Sequence, residues 1–325
     1  MRRGLLSIRL IGAAMILSGI VACQFDADEA YYPFTQAAYL LYQGEENSET
    51  HLIQVKGTQS TWAWEEQWSP GPLLAMTGNA TQLWLSMGNE IIELDLSSES
   101  LVQRIPLDSL QGHFLAVGRQ ELLVVDSNRQ EMGFLPLDGG SIVRRSLEGQ
   151  PTLTPAYFAE VFYLPLDSQR VLLYHELAYA PLNEVALSAP IQGISPDYVQ
   201  SIACLLQFPG DSTLSIQSLD ANTRRLAGPP RRIPWQQIQF SPFQVVRFGK
   251  EFTSNARLLG TKSVPSVLES VESYAFDFFE NHSYYHNSAG LSRYDFRNRV
   301  RDSLLPLPYS GRLTTSHFYR APNEP

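Results

Sequence analysis

The chain has 325 residues, 44% of them hydrophobic and 18% charged, with 24 Lys+Arg against 33 Asp+Glu for a formal net charge of −9. The apolar fraction excludes wholesale disorder, and the acidic balance argues against a general nucleic-acid binder, which needs positive charge to displace counterions. Two cysteines exclude a disulfide-rich scaffold and a four-cysteine zinc site.

The first predicted element is an address. Arg2, Arg3 and Arg9 form a basic start, and residues 10–22 are apolar apart from Ser18. That run is shorter than the roughly 20 residues a membrane-spanning helix needs, and it has the length of the hydrophobic core of a secretion signal. It ends in Ile20-Val21-Ala22-Cys23, which resembles the lipobox of bacterial lipoproteins. The resemblance implies cleavage before Cys23 and a diacylglycerol with acyl chains such as palmitate on its thiol, which would anchor the chain to a membrane. Gln24 stands where Asp would imply retention in the inner membrane of enterobacteria, so the expected place is the cell envelope, at the outer membrane rather than the inner. The expected domains are a signal peptide over 1–22, a lipidated N-terminus and tether over 23–35, and a folded body over 36–325. Losing 1–22 removes three arginines and no acid, which deepens the charge to −12.

The body reads as all-β. Short strands bounded by Ser, Asn, Gly and Asp turns are predicted at 51–56, 83–87, 90–96, 101–107, 121–125, 132–137, 161–166, 171–174, 214–219 and 291–295; strands this close together need hairpins. Asp95, Asp126, Asp167, Asp220 and Asp295 each follow an apolar strand, with Lys56 in the same place near the start. A carboxylate there accepts hydrogen bonds from the turn's own N–H groups, so these aspartates are expected to be structural. Their separations of 39, 31, 41, 53 and 75 residues centre on a period near 40, the signature of a β-propeller. The 303 residues after the signal give about seven blades at roughly 40–45 residues each, and six or eight also fit. The stretch from Leu94-Asp95 to Ile105-Pro106-Leu107 resembles the blades of YncE-like propellers, and the lipid-anchored plan resembles that of BamB-like outer-membrane assembly factors. Residues 264–279 break the pattern. Val264, Val267, Leu268, Val271 and Ala275 recur at helical spacing behind a Ser266/Glu269 capping box, so a short helix running into a strand is expected there.

Candidate sites are few. His282 and His286, with Asp277 and Glu280, are the densest set of metal-ligand types, but on a strand i and i+4 lie about 13 Å apart. Trp62, Trp64 and Trp68 form one aromatic cluster, with Tyr284 and Tyr285 in a second. Arg293, Arg297, Arg299 and Arg301 alternate and would share one face of a single strand. The aromatics, with Arg293 and Arg297, form the candidate binding surface for a protein or glycan. Cys204 sits in an apolar strand as an inert thiol. The sequence holds no Gly-x-Ser-x-Gly, Walker, Rossmann or His-Glu-x-x-His pattern. It therefore offers no catalytic residue and implies no cofactor beyond the lipid on Cys23. The favoured function is an envelope lipoprotein whose propeller docks a protein partner. The alternatives are a propeller hydrolase or lactonase with a channel-mouth site, and a surface glycan-binding lipoprotein.

Overall fold

The structure is a computed structural model that describes residues 33–43, 50–56, 59–66, 73–79, 81–96, 98, 100–196, 201–210, 214–233, 245–248, 251–254, 257–259, 273–277, 282–287, 290–295, 300–305 and 311–319. The expected signal peptide over 1–22, Cys23 and Glu280 lie outside them. Among the described residues the strands form seven antiparallel sheets.

Blade 1 is Gly311–Tyr319, Pro33–Gln43, Thr50–Lys56 and Gln59–Glu66, in spatial order from the inside outward. Blade 2 is Leu73–Gly78, Gln82–Met87, Glu90–Asp95 and Ser100–Pro106. Blade 3 is Phe114–Val117, Glu121–Asp126, Glu131–Pro136 and Val143–Ser146, and blade 4 is Ala156–Phe158, Val161–Leu166, Arg170–His175 and Pro181–Ala186. Blade 5 runs Ile191–Pro196, Ser201–Gln207 and Leu214–Asp220; its outer edge is split into Arg225–Leu226 and Arg231–Ile233, both paired with Leu214–Asp220. Gly228-Pro229-Pro230 makes the split, because proline has no N–H to give the ladder, and the Gln217 amide fills the gap by donating to the Gly228 carbonyl at 3.1 Å. Blade 6 holds Val245–Phe248, Glu251–Ser254 and Arg257–Leu259, and blade 7 holds Ser273–Asp277, His282–Asn287, Gly290–Asp295 and Val300–Leu305.

The innermost strands touch their neighbours in order from blade 7 through blade 1 to blade 6. Blade 1 takes its innermost strand from the far end of the chain and its other three from the near end, with Pro33 registered on Tyr319 and Tyr42 on Gly311. That exchange ties the two ends of the array together, and the described residues form a β-propeller of seven blades.

Packing explains which strands the sequence reveals. Glu121–Asp126 and Val161–Leu166 are buried at every position, because a neighbouring blade covers each face. Alternation sorts their side chains between two seams. Leu122 and Val124 join Trp84, Ile91 and Leu115 between blades 2 and 3, whereas Leu123 and Val125 join Phe134, Phe162 and Leu164 between blades 3 and 4. Val161 and Tyr163 pack with Leu173, Ile202, Cys204 and Leu219 between blades 4 and 5. Each large apolar side chain so buried contributes roughly 1.5–3 kcal/mol. The outer strands have one covered face at most: Ser100–Pro106 is exposed at every position but Ile105.

Three expectations change. The repeated Asp-led turn is two different turns. Lys56, Asp95, Asp220 and Asp295 end the third strand of their blades, while Asp126 and Asp167 close the second. Sorted this way, separations of 39, 125 and 75 residues correspond to one, three and two blades, and the 41 from Asp126 to Asp167 to one; the uneven spacing came from mixing the sets. The arginines do not share one strand: Arg293 lies on the third strand of blade 7, Arg301 on the antiparallel fourth, and Arg297 and Arg299 lie outside the described residues. At 264–279, Ser273–Asp277 is a strand, and the helical part falls outside the described residues.

Candidate functional site

Among the described residues, a connected polar arrangement joins blades 3 and 4. Glu176 follows the third strand of blade 4 and is 3% exposed. Its Oε1 accepts the backbone N–H groups of Gln120 at 2.6 Å and Glu121 at 3.0 Å, in the first hairpin of blade 3. Its Oε2 accepts the Tyr157 hydroxyl at 2.8 Å, and the Tyr157 oxygen accepts the Arg119 N–H at 3.2 Å. Glu121 returns the exchange: its Oε2 accepts the Leu177 N–H at 2.9 Å. Gly118 permits this approach, since a Cβ there would stand 2.3 Å from Glu176 Oε1 and 2.9 Å from Phe162.

The loop that carries Glu176 is held in an unusual shape. Leu177 and Tyr179 both have positive φ, at 63° and 52°, a region bulky side chains seldom enter. The Glu121 carboxylate fixes the Leu177 N–H, Arg145 Nε donates to the Tyr179 carbonyl at 3.1 Å, and the Tyr179 ring meets Phe134 edge-on at 5.5 Å. Leu177 is thereby presented to solvent, 48% exposed. Beneath it Glu121 is fully buried, and its Oε1 has no well-formed donor among the described residues. The Tyr179 phenol is set against this carboxylate, which is the main reason its pKa lies above the ordinary value; desolvation and the charges of Glu121 and Asp138 add to it.

A cleft of about 490 Å3 opens at this place. Arg119 and Gln120 line it from the first hairpin of blade 3, Pro136 from the end of that blade's third strand, Leu137 and Asp138 from the connection that follows, and Leu177 and Tyr179 from blade 4. Arg119 reaches Glu160 at 3.4 Å, with both side chains nearly half exposed, and His175 Nε2 lies 3.6 Å from the same Glu160. Such exposed pairs contribute little to stability.

The other buried acids hold backbone or amide groups. Glu93 accepts the side-chain amides of Gln82 at 2.5 Å and Gln103 at 2.6 Å. Asp126 accepts N–H groups from Asn128, Arg129 and Gln111, with His113 Nδ1 3.3 Å away. Asp95 and Asp220 accept the N–H of Ser98 and Thr223 in their own turns, as the turn chemistry predicts. Asp167 instead accepts Gln150 N–H at 2.6 Å, tying the chain that enters blade 4.

The sequence-predicted site residues fall elsewhere. His282 and His286 sit on one strand, with Asp277 registered opposite His282. Among the described residues no three His, Cys, Asp or Glu side chains gather as a metal site. Tyr284 and Tyr285 are neighbours on that same strand. Trp62 and Trp64 lie on the outer strand of blade 1, opposite Ile53 and Leu52, with Ala63 bulged between them, so strict alternation does not run through it; Trp68 and Arg297 lie outside the described residues. Arg293 is largely buried, and its guanidinium pairs with Asp302 at 2.5 Å, so that cation is spent within blade 7. Cys204 is fully buried, and burial pushes its thiol up to about 12. The seam of blades 3 and 4 carried no local signal, because Arg119 and Tyr179 lie 60 residues apart and meet through the fold alone.

No family model matches the chain, and no curated protein matches it in sequence. Among solved structures, BamB from Moraxella catarrhalis is similar with a TM-score of 0.56 at 9% identity, over 81% of this chain and 99% of BamB. The Swd1 β-propeller domain of Myceliophteria thermophila has a TM-score of 0.54 at 15% identity, over 74% of this chain and 87% of that one. At such identities the likeness speaks for the fold, and it agrees with the ring built above: the chain is a β-propeller protein.

Proposed function

We propose that the chain is a lipid-anchored envelope protein whose propeller docks another protein. Leu177 carries the docking reading: a large apolar side chain is held in an unfavourable backbone conformation and presented to solvent by hydrogen bonds from a neighbouring blade. Strain of that kind persists only where surrounding structure enforces it, and it gathers at binding sites. A ring of blades supplies the rigid frame. The Ile20-Val21-Ala22-Cys23 sequence supports the anchor, since acyl chains on Cys23 would hold an acidic domain at a bilayer; the outer membrane is its proposed place.

Labelling cells with radioactive palmitate tests the anchor. Label on the intact protein and none on Cys23→Ala is the expected result, and an unlabelled intact protein refutes it. Photo-crosslinking from exposed positions on several blades, Val102 and Leu177 among them, tests docking. A discrete adduct with one envelope protein is expected; no adduct from any position refutes it.

A further inference from the structure

The cleft between blades 3 and 4 has a chemistry of its own. Its opening is apolar on one side, where Leu177 stands half-exposed beside Leu137. The groups facing it are unevenly charged. Asp138 is exposed at the rim, and the Glu121 carboxylate lies buried out of the cleft, with the Tyr179 phenol set against it. Arg119 is the facing cation, and Glu160 already neutralises it from blade 4. His175 also turns towards Glu160, and Glu176 is occupied by two backbone N–H groups and the Tyr157 hydroxyl. Arg145 is turned onto the Tyr179 and Arg144 carbonyls, and Asp138 at the rim has no ion pair among the described residues. Tyr179 lines the cleft with its phenol set against a buried carboxylate, which makes its oxygen a better acceptor, and its ring is edge-packed on Phe134. A long aliphatic stem ending in a cation matches this layout, because such side chains lay their methylenes on apolar surface and keep the charge on polar groups.

We propose that this cleft receives a lysine or arginine side chain of the partner protein, its stem against Leu177 and its charged head between the Tyr179 phenol and Asp138. The inference rests on the docking function and specifies where the partner is gripped and by which chemistry. Leu177 is the apolar lip. Asp138 and Tyr179 form the polar end, and Glu121 acts through Tyr179 as a positioning residue.

Fluorescence anisotropy with a labelled peptide, acetyl-Ser-Leu-Lys-Leu-Ser-amide, tests this on the full-length protein in detergent. Controls carry Glu or norleucine for Lys; norleucine keeps the stem and drops the charge. Saturable binding of the Lys peptide is expected, at least roughly tenfold tighter than either control. Asp138→Asn and Leu177→Asn should each weaken it by roughly three- to tenfold, and Arg119→Gln should tighten it. Asn suits position 177 because it tolerates positive φ, and unchanged thermal midpoints would show that the variants fold. The inference is overturned if the Lys peptide does not bind, if norleucine binds as well, or if neither Asp138→Asn nor Leu177→Asn changes the affinity. Crosslinks from other blades that persist after such a result would leave the docking function standing and remove only this cleft from it.

Discussion

Glu121 and Glu176 trade hydrogen bonds across the seam of blades 3 and 4: each carboxylate accepts a backbone N–H from the segment that carries the other. The two residues lie 55 positions apart, so the exchange forms only when both blades are in place. Glu176→Ala would strand the N–H groups of Gln120 and Glu121 and remove the acceptor of the Tyr157 hydroxyl. A loss of roughly 2–5 kcal/mol is expected, because buried donors left unmatched bear their full desolvation penalty. Gly118→Ala reaches the same place by steric means, forcing Glu176 away at a cost of about 1–3 kcal/mol. Urea unfolding midpoints check both; a Gly118→Ala variant as stable as the parent would show that Glu176 can retreat freely.

Tyr163 is fully buried between blades 4 and 5, and its hydroxyl has no partner among the described residues. Burial raises its pKa well above the ordinary value of a phenol, with a smaller opposing effect from Arg224. A raised folded pKa means stability that is complete below the unfolded value of about 10 and lost as pH rises beyond it. The protein should therefore weaken above about pH 10. Tyr163→Phe should blunt that alkaline loss and raise stability at pH 7 by about 1 kcal/mol, since it removes a hydroxyl that gains nothing from burial. Thermal melts at pH 7 and 10.5 separate the two effects.

Acid acts through the turns. The Asp167 carboxyl is held below its usual pKa first by the Gln150 N–H and then by Arg170, and Asp220 by Thr223 and Asn222. A depressed folded pKa gives stability that is present above the unfolded value, near 3.9, and disappears as pH falls through the lower folded value. Asp167→Asn and Asp220→Asn should therefore flatten the acid limb of a melting-temperature profile below about pH 4. They should also be somewhat less stable than the parent at neutrality, because the amide oxygen still accepts the turn's N–H but the charge, and at Asp167 the pair with Arg170, is gone. An unchanged acid limb in the double variant would place the acid sensitivity elsewhere.

The Cys204 thiol, pushed up to about 12 and fully buried, should not react with iodoacetamide in the native ring. In a Cys23→Ala background it should label fully once urea unfolds the chain. Cys204→Ser should cost roughly 1–3 kcal/mol, because a buried hydroxyl demands a partner that the thiol did not. Mass spectrometry of the labelled protein reads the first outcome, and denaturant titration the second.

The strands of the ring were legible because burial on two faces forces apolar runs such as 122–125 and 161–166, and these need no distant context to be recognised. The turns were legible in kind but not in phase: Asp126 and Asp95 look alike in sequence, yet they close different hairpins. The cleft was not legible. Arg119, Asp138, Glu160 and Tyr179 each sit in an unremarked local stretch, and only blade-on-blade packing brings them together. The arginines of blade 7 show the reverse error. A local alternation from Arg293 to Arg301 suggested one face, and a hairpin and Asp302 dissolved it.

The strand exchange in blade 1 sets how the ring would bear a mechanical load. Pro33–Gln43 is flanked on both edges, by eight aligned pairs with Gly311–Tyr319 and six with Thr50–Lys56. A pull delivered through a tether at residue 33 runs along this strand, and antiparallel hydrogen bonds lie across it. The bonds on both edges would then resist together, in shear, instead of parting one by one. Were the chain anchored through Cys23 as proposed and gripped by a partner elsewhere, such tension would fall first on a strand that is paired along both edges.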